Sequence, residues 1–358
     1  MKNKRMALVV GVLVAVAFIL SPIIVQAQAS KPEVIHWKGQ CAYNSTVPPF
    51  GPFGRGEAGV YAHFHQWAAW VGKASGGRLV IDLVEPGTIF PISEADLAVG
   101  KGVVQLAIGM GSYFGGRMPE TDIESGGVFQ WENNQQNYEC ITKYGLGEAL
   151  RKVYARRNLI WLPGYADAIY GLATTFPAPT PAAIKGKKIR AIGMVADYIR
   201  ILGGTPINLG WGDIYMAMKL GTIDGWTGGP GLLEDLKLKE VTKGFVVPPV
   251  IQPAPSAVII NMDAFKALPR DLQELLMRDS GYVLYAGSTN LHNQHYWCMK
   301  NAEKEYGVKL YAWSPEDIAR LTQQTVDEIY PRIAAKSKDC AEMIEIVKKQ
   351  MRDYGRIK

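Results

Sequence analysis

What most narrows the fold of this chain is a short unit written twice. From Glu94 eight residues lead to Gly102 and then to Val103-Val104-Gln105; from Asp213 eight residues lead to Gly221 and then to Thr222-Ile223-Asp224. An acidic residue at a helix start suits the positive end of the helix dipole, and a glycine supplies the left-handed residue that closes it. Two copies of one helix-then-strand unit predict two lobes built alike.

The rest of the chain alternates in the same way, which argues for α/β layering with largely parallel strands. Val34-Ile35-His36-Trp37 reads as a first strand, followed by a loop rich in Pro and Gly from Tyr43 to Glu57 and by helical spacing of apolar residues from Val60 to Lys73. Leu79 to Val84 reads as the next strand, Val103 to Ile108 as a third, and Trp131 to Arg157 as helical. Leu159-Ile160-Trp161-Leu162 reads as a strand crossing toward a second lobe, and Val246 to Ile260, with its prolines, as the return crossing. After Leu268-Pro269 the pattern turns helical, with Arg270 to about Tyr306 as one long helix and Pro315 to Lys349 as one or two more. Two crossings and a helix reaching both lobes would make a hinged clamp.

The N-terminus carries Lys2, Lys4 and Arg5, an apolar stretch from Met6 to Leu20, the break Ser21-Pro22 and the small-residue end Ala27-Gln28-Ala29, which reads as a secretory signal cut near Ala29. The expected organisation is therefore a signal over residues 1–29, a first α/β lobe over 30–162, a second over 163–254, and a region 255–358 holding the return strand and the C-terminal helices, part of which completes the first lobe. Losing the signal lowers the formal charge from +6 by three. Such mild, scattered basicity gives no reason to expect a nucleic-acid partner.

Several chemistries find no support. Cys41, Cys140, Cys298 and Cys340 follow neither metal-ligand nor Cys-x-x-Cys spacing. In an oxidising compartment Cys298 and Cys340 would be the pair to join, with buried unpaired thiols as the alternative. Gly109 to Gly115 follows a strand as a dinucleotide loop would, but Tyr113, Phe114 and then Arg117-Met118-Pro119 stand where a closely packed helix should begin. His63 and His65 are two apart and share no helix face; His292 and His295 are three apart but have no acidic neighbour in the sequence to make a ligand set. No Gly-x-Ser-x-Gly and no Gly-Lys-Ser/Thr motif occurs.

Chemistry concentrates between Lys185 and Pro230. Arg190 ends the short strand Lys188-Ile189-Arg190, and strand ends in open α/β sheets face the crevice where ligands bind. A guanidinium held there can grip a carboxylate through two parallel N–H···O bonds.

Here a family resemblance becomes visible. Gly186-Lys187-Lys188-Ile189-Arg190, Leu202-Gly203-Gly204-Thr205-Pro206, Gly212-Asp213-Ile214-Tyr215-Met216-Ala217 and Leu220-Gly221-Thr222-Ile223-Asp224-Gly225 together resemble the solute-binding proteins of tripartite ATP-independent periplasmic (TRAP) transporters, and within them the 2-oxo-acid-binding subgroup. Gly111-Ser112-Tyr113-Phe114 and the spacing from Pro163-Gly164 to Arg190 fit the same subgroup. The resemblance implies a two-lobed, periplasmic-binding-protein-like α/β fold that closes over an anion, with Arg190 on the ligand carboxylate. It also implies a ligand-facing place for Tyr165, Ile169, Trp226, Thr227 and Tyr113; Trp211 is added as an aromatic wall, with core packing as its alternative.

One departure stands out. The subgroup usually has a Glu-Trp pair after this aspartate that helps hold a metal ion, whereas the chain reads Asp224-Gly225-Trp226-Thr227 with no acid there. No cofactor is expected, and a ligand-associated cation is in doubt. The expected function is capture of an organic acid anion (2-oxo, hydroxy or aromatic monocarboxylate) in the periplasm for delivery to the TRAP membrane permease subunits, without catalysis. The alternatives are a periplasmic enzyme or sensor for small carboxylates, and, for assembly, a homodimer through the long C-terminal helix.

Overall fold

In the computed structural model the chain divides into Met1–Val34 and Ile35–Lys358, and residues 33–43, 59–164 and 168–358 are described. The expected signal segment and the loop around residues 44–58 lie outside them.

The first half of Ile35–Lys358 runs β1 (Ile35–Cys41), α1 (Gly59–Ala74), β2 (Leu79–Val84), α2 (Ala95–Gly100), β3 (Leu106–Gly109), α3 (Glu120–Glu124), α4 (Asn134–Thr142), α5 (Leu146–Ala155) and β4 (Leu159–Pro163). Next come β5 (Ala168–Thr174), β6 (Lys188–Arg190), α6 (Gly193–Ile201), β7 (Thr205–Ile207), α7 (Ile214–Lys219), β8 (Gly225–Gly228), α8 (Leu232–Asp235) and β9 (Gly244–Ala254). The remainder is β10 (Ala257–Asn261), α9 (Met262–Lys266), α10 (Arg270–Glu274), α11 (Ser280–Lys300), α12 (Ala302–Tyr306), β11 (Lys309–Ala312), α13 (Pro315–Gln324), α14 (Tyr330–Ala334) and α15 (Lys338–Asp353).

The strands form two sheets, ordered β2-β1-β3-β10-β4 and β11-β9-β5-β8-β6-β7. In each, three parallel strands meet antiparallel ones: β1 pairs parallel with β2 and β3, and β6 with β7 and β8, while β10 and β5 run antiparallel beside them. The repeated unit explains this likeness. Gly102 and Gly221 both take left-handed backbone, at φ +73° and +69°. Behind each cap the next amide reaches back into the helix, Val103 N–H to Ala98 O and Thr222 N–H to Ala217 O. Two residues later the chain docks on the neighbouring strand, Gln105 N–H to Lys38 O and Asp224 N–H to Lys188 O.

The two crossings fall where the apolar runs predicted them, β4 into β5 and β9 into β10. They are tied to each other, since Gly164 N–H donates to Ser256 O at 2.8 Å. The expected long C-terminal helix is interrupted by a π-helical turn at Leu275–Asp279 and again at Asn301, and α11 packs against α1 and β4 of one sheet's layer and β5 of the other. Helices α3 to α5 and α15 cover the first sheet's side, where the Trp131 indole N–H donates to Gln350 at 3.0 Å.

All four cysteines are buried free thiols, so the Cys298–Cys340 pairing is corrected. They sit on different helices, Cys298 on α11 and Cys340 at the start of α15. Among the described residues no helix is long and apolar enough to cross a membrane.

Candidate functional site

A cleft of about 1200 Å³ lies between the ends of the two sheets, lined from one side by Tyr43, Met110, Ser112 and Tyr113 and from the other by Tyr170, Arg190, Trp211 and Gly229. Strand ends place these residues: Tyr113 follows β3, Trp211 follows β7, and Arg190 closes β6.

Register explains why an arginine fits there. Leu106 lies opposite Gly39 and Gly225 opposite Ile189, and both Leu106 and Gly225 start the strand behind a capping glycine. Gln40 and Arg190 are therefore equivalent positions in the two sheets. Each holds the segment that follows the neighbouring edge strand. Gln40 donates through Nε2 to Phe90 O at 2.7 Å and accepts from the Ile89 amide at 2.8 Å, while Arg190 donates through Nε to Leu209 O at 3.0 Å. A neutral amide suffices for this bracing in the first sheet. The second sheet uses a charged group for it.

Arg190 is only 1% exposed, yet it lines the cleft. Its Nη1 donates to Thr227 O at 3.2 Å, and its guanidinium lies 4.0 Å from the Trp211 ring centre. The phenols of Tyr170 and Tyr113 face it. Among the described residues no carboxylate pairs with it, so two of the fork's five N–H groups are used on backbone carbonyls and its charge is unbalanced. Burial accordingly pulls the guanidinium below its usual pKa, with the two phenols opposing. Burial in turn raises the phenols of Tyr113, Tyr170 and Tyr43 above their ordinary range, which keeps them as neutral donors.

Two bonds span the cleft. The Trp211 indole N–H donates to the Tyr113 hydroxyl at 2.6 Å, linking the segment after β7 to the segment after β3. Tyr170 stands edge-on to Trp211, with ring centres 6.0 Å apart, and its hydroxyl reaches the Met110 sulfur at 3.1 Å.

Of the residues anticipated from sequence, Arg190, Tyr113 and Trp211 line this cleft. Tyr165 lies outside the described residues. Trp226 differs from the expectation: its indole is fully buried in the second core, donating to Thr242 at 3.0 Å and packing edge-on against Phe245. Thr227 sits behind the arginine rather than in the cleft wall, its carbonyl accepting from Nη1 and its hydroxyl donating to Arg190 O at 3.1 Å. Ile169 is likewise buried off the cleft, and its amide donates to His295 Nδ1 at 3.2 Å. The cleft residues that the sequence reading did not anticipate include Tyr170, Asp235 and His295. Tyr170 had one signal, its place next to Ile169 on an alternating strand.

Two α/β lobes joined by two crossings, with a buried, unpaired cation at the strand ends, define a cleft-type solute receptor. The model of bacterial extracellular solute-binding protein, family 7 (DctP), matches residues 57–337, and the chain belongs to that family. It is 26% identical over 299 residues, 80% of each chain, to a monocarboxylate 2-oxoacid-binding periplasmic protein of Nostoc. A TRAP periplasmic solute-binding protein from Pseudoalteromonas atlantica, solved with sodium and pyruvate, superposes with a TM-score of 0.76 at 21% identity, covering 90% of this chain and 95% of the other. A TRAP solute-binding protein from Bordetella bronchiseptica, solved as a mixed-occupancy dimer with copurified calcium and picolinate, superposes with a TM-score of 0.75 at 18% identity, covering 90% and 93%. The two-lobed fold and the solute-receptor class expected from sequence are thus those of the family, whose members act outside the cytoplasm with membrane permease components.

Proposed function

We propose that the cleft captures a small organic acid anion, Arg190 taking its carboxylate, and hands it to the permease of a TRAP system. One observation carries this: a buried arginine lines the cleft without a carboxylate partner, at a position where the matching lobe manages with glutamine. A ligand carboxylate would supply the missing charge through the N–H groups not spent on Leu209 and Thr227, in a wall of aromatic rings that excludes water. Tyr113 and Trp211 would close over the ligand, Thr227 would position the arginine, and Tyr165 would act from the crossing segment. Pyruvate and picolinate, bound by the two structural neighbours, are both monocarboxylates.

Those neighbours also hold sodium or calcium. Among the described residues no three His, Cys, Asp or Glu side chains gather as metal ligands. A ligand-associated cation here would rest chiefly on carbonyl and ligand oxygens. The reading includes no catalytic step, removal of residues 1–29 on export, and α11 as the face of a homodimer, where Tyr282 is 75% and Tyr296 52% exposed. A thermal-shift screen of mono-, di-, oxo-, hydroxy- and aromatic carboxylates tests the main claim: binders raise the melting temperature with ligand concentration and are recovered unchanged. A neutral or cationic solute that outperforms every acid would refute it.

A further inference from the structure

We infer that Asp235 and His295 form a second polar anchor in the cleft, which takes a hydroxyl or an amide N–H of the ligand, so that monocarboxylates bearing such a donor are preferred over bare 2-oxo acids and dicarboxylates. The inference rests on Arg190 as the carboxylate anchor.

Asp235 ends α8, which follows directly on the turn Gly229-Pro230-Gly231 that leaves β8, the strand whose Thr227 braces Arg190. It lines the cleft together with Gly229, Leu232 and His295. Its Oδ1 is buried and accepts no hydrogen bond. Buried carboxylate oxygens without donors are costly and uncommon, so this one calls for a donor from outside the chain. Of the other charges along the cleft, Lys336 meets Asp122 at 3.4 Å and Arg200 meets Asp197 at 2.6 Å. Burial, with Glu234 close by, pushes the Asp235 carboxyl up to about 7, so it is a charged acceptor above that pH, where the binding comparison is made.

His295 supplies the complementary half. Its Nδ1 accepts from the Ile169 amide, which puts the proton of the neutral ring on Nε2. Burial keeps the ring neutral, lowering its pKa to about 3. Nε2 lies 3.2 Å from the point where a Cβ at Gly231 would stand, and Asp235 Oδ2 lies 3.9 Å from that same point. The bare turn thus faces both an N–H donor and the second oxygen of the carboxylate whose Oδ1 lacks a donor. A hydroxyl or a secondary amide offers one donor and one acceptor and satisfies both. A keto oxygen offers only acceptors, and a second carboxylate would bring like charge against Asp235.

Calorimetry on the full mature chain, in chelator-treated buffer and again with added calcium or sodium, tests this with short monocarboxylates that share a carbon chain and carry hydrogen, hydroxyl, oxo or carboxylate at one position, plus a lactam carboxylic acid. Hydroxyl and lactam acids are expected to bind about tenfold tighter than their oxo and carboxylate counterparts. Asp235→Asn is expected to bring these within about threefold, and a cooperative melting curve like that of the wild type reports separately that the variant is folded. Arg190→Lys is expected to weaken all the acids alike. The inference is overturned if oxo acids win, if the preference survives Asp235→Asn, or if it appears only with added cation. If no acid binds the wild-type chain, the carboxylate reading fails first and this one with it.

Discussion

Glycine 229 shows how finely single atoms set the cleft. A Cβ there would stand 2.6 Å from His295 Cε1, inside any real contact distance, and the obstacle is a buried ring. Gly229→Ala should cost about 1–3 kcal/mol of stability by urea melts and weaken ligand binding through displaced His295. Tyr113→Phe removes the partner of the Trp211 indole; it should lower ligand affinity about fivefold by calorimetry, the worth of one hydrogen bond across the closed cleft. At this scale sequence was informative about Arg190, since a lone arginine at a strand end within a recognisable run leaves few roles. It was uninformative about Trp226. Both faces of a central strand are buried in such folds, so alternation does not say which face meets the ligand and which meets the core. Asp235 was invisible because nothing in the residues Leu232–Asp235 marks them as different from any short surface helix.

Among the elements, the two capped units are the most legible and the most testable. Gly221 has open space where a Cβ would go, so its cost on substitution is purely backbone. Gly221→Ala and Gly102→Ala should each destabilise by about 1 kcal/mol, seen as a lowered urea midpoint with unchanged slope. A loss many times larger at only one of them would break the equivalence of the two lobes. The strands proved shorter than their apolar runs: Val103 to Gln105 serve the cap and the docking on β1, and β3 begins only at Leu106. Apolar residues in a cap return are as buried as those in a strand, which is why composition alone drew the boundary early.

For the whole molecule, the buried carboxyls set how stability follows pH. Glu124 accepts from Tyr154 at 2.5 Å and from Trp161 at 2.8 Å, but complete burial outweighs these donors and pushes its carboxyl up to about 7. The folded protein then holds a proton that the unfolded chain releases, so stability should fall as pH rises from about 4.5 to about 7 and level off above. Glu124→Gln should flatten that stretch by up to about 1.4 kcal/mol per pH unit in urea melts at a series of pH values. A profile identical to wild type would place the proton elsewhere. The two-lobed plan was readable because each crossing is a single apolar strand between α/β blocks; the closure between lobes was not, because Tyr113 and Trp211 are 98 residues apart and nothing in either run says that one side chain bonds the other.

The most direct test is titration calorimetry of one binding acid against wild type and Arg190→Lys. Lysine keeps the positive charge but loses the fork and the braces to Leu209 and Thr227, so affinity should drop at least tenfold, while the melting temperature of the ligand-free protein falls by several degrees without loss of the cooperative transition. Undiminished affinity in a well-folded Arg190→Lys protein would contradict the account.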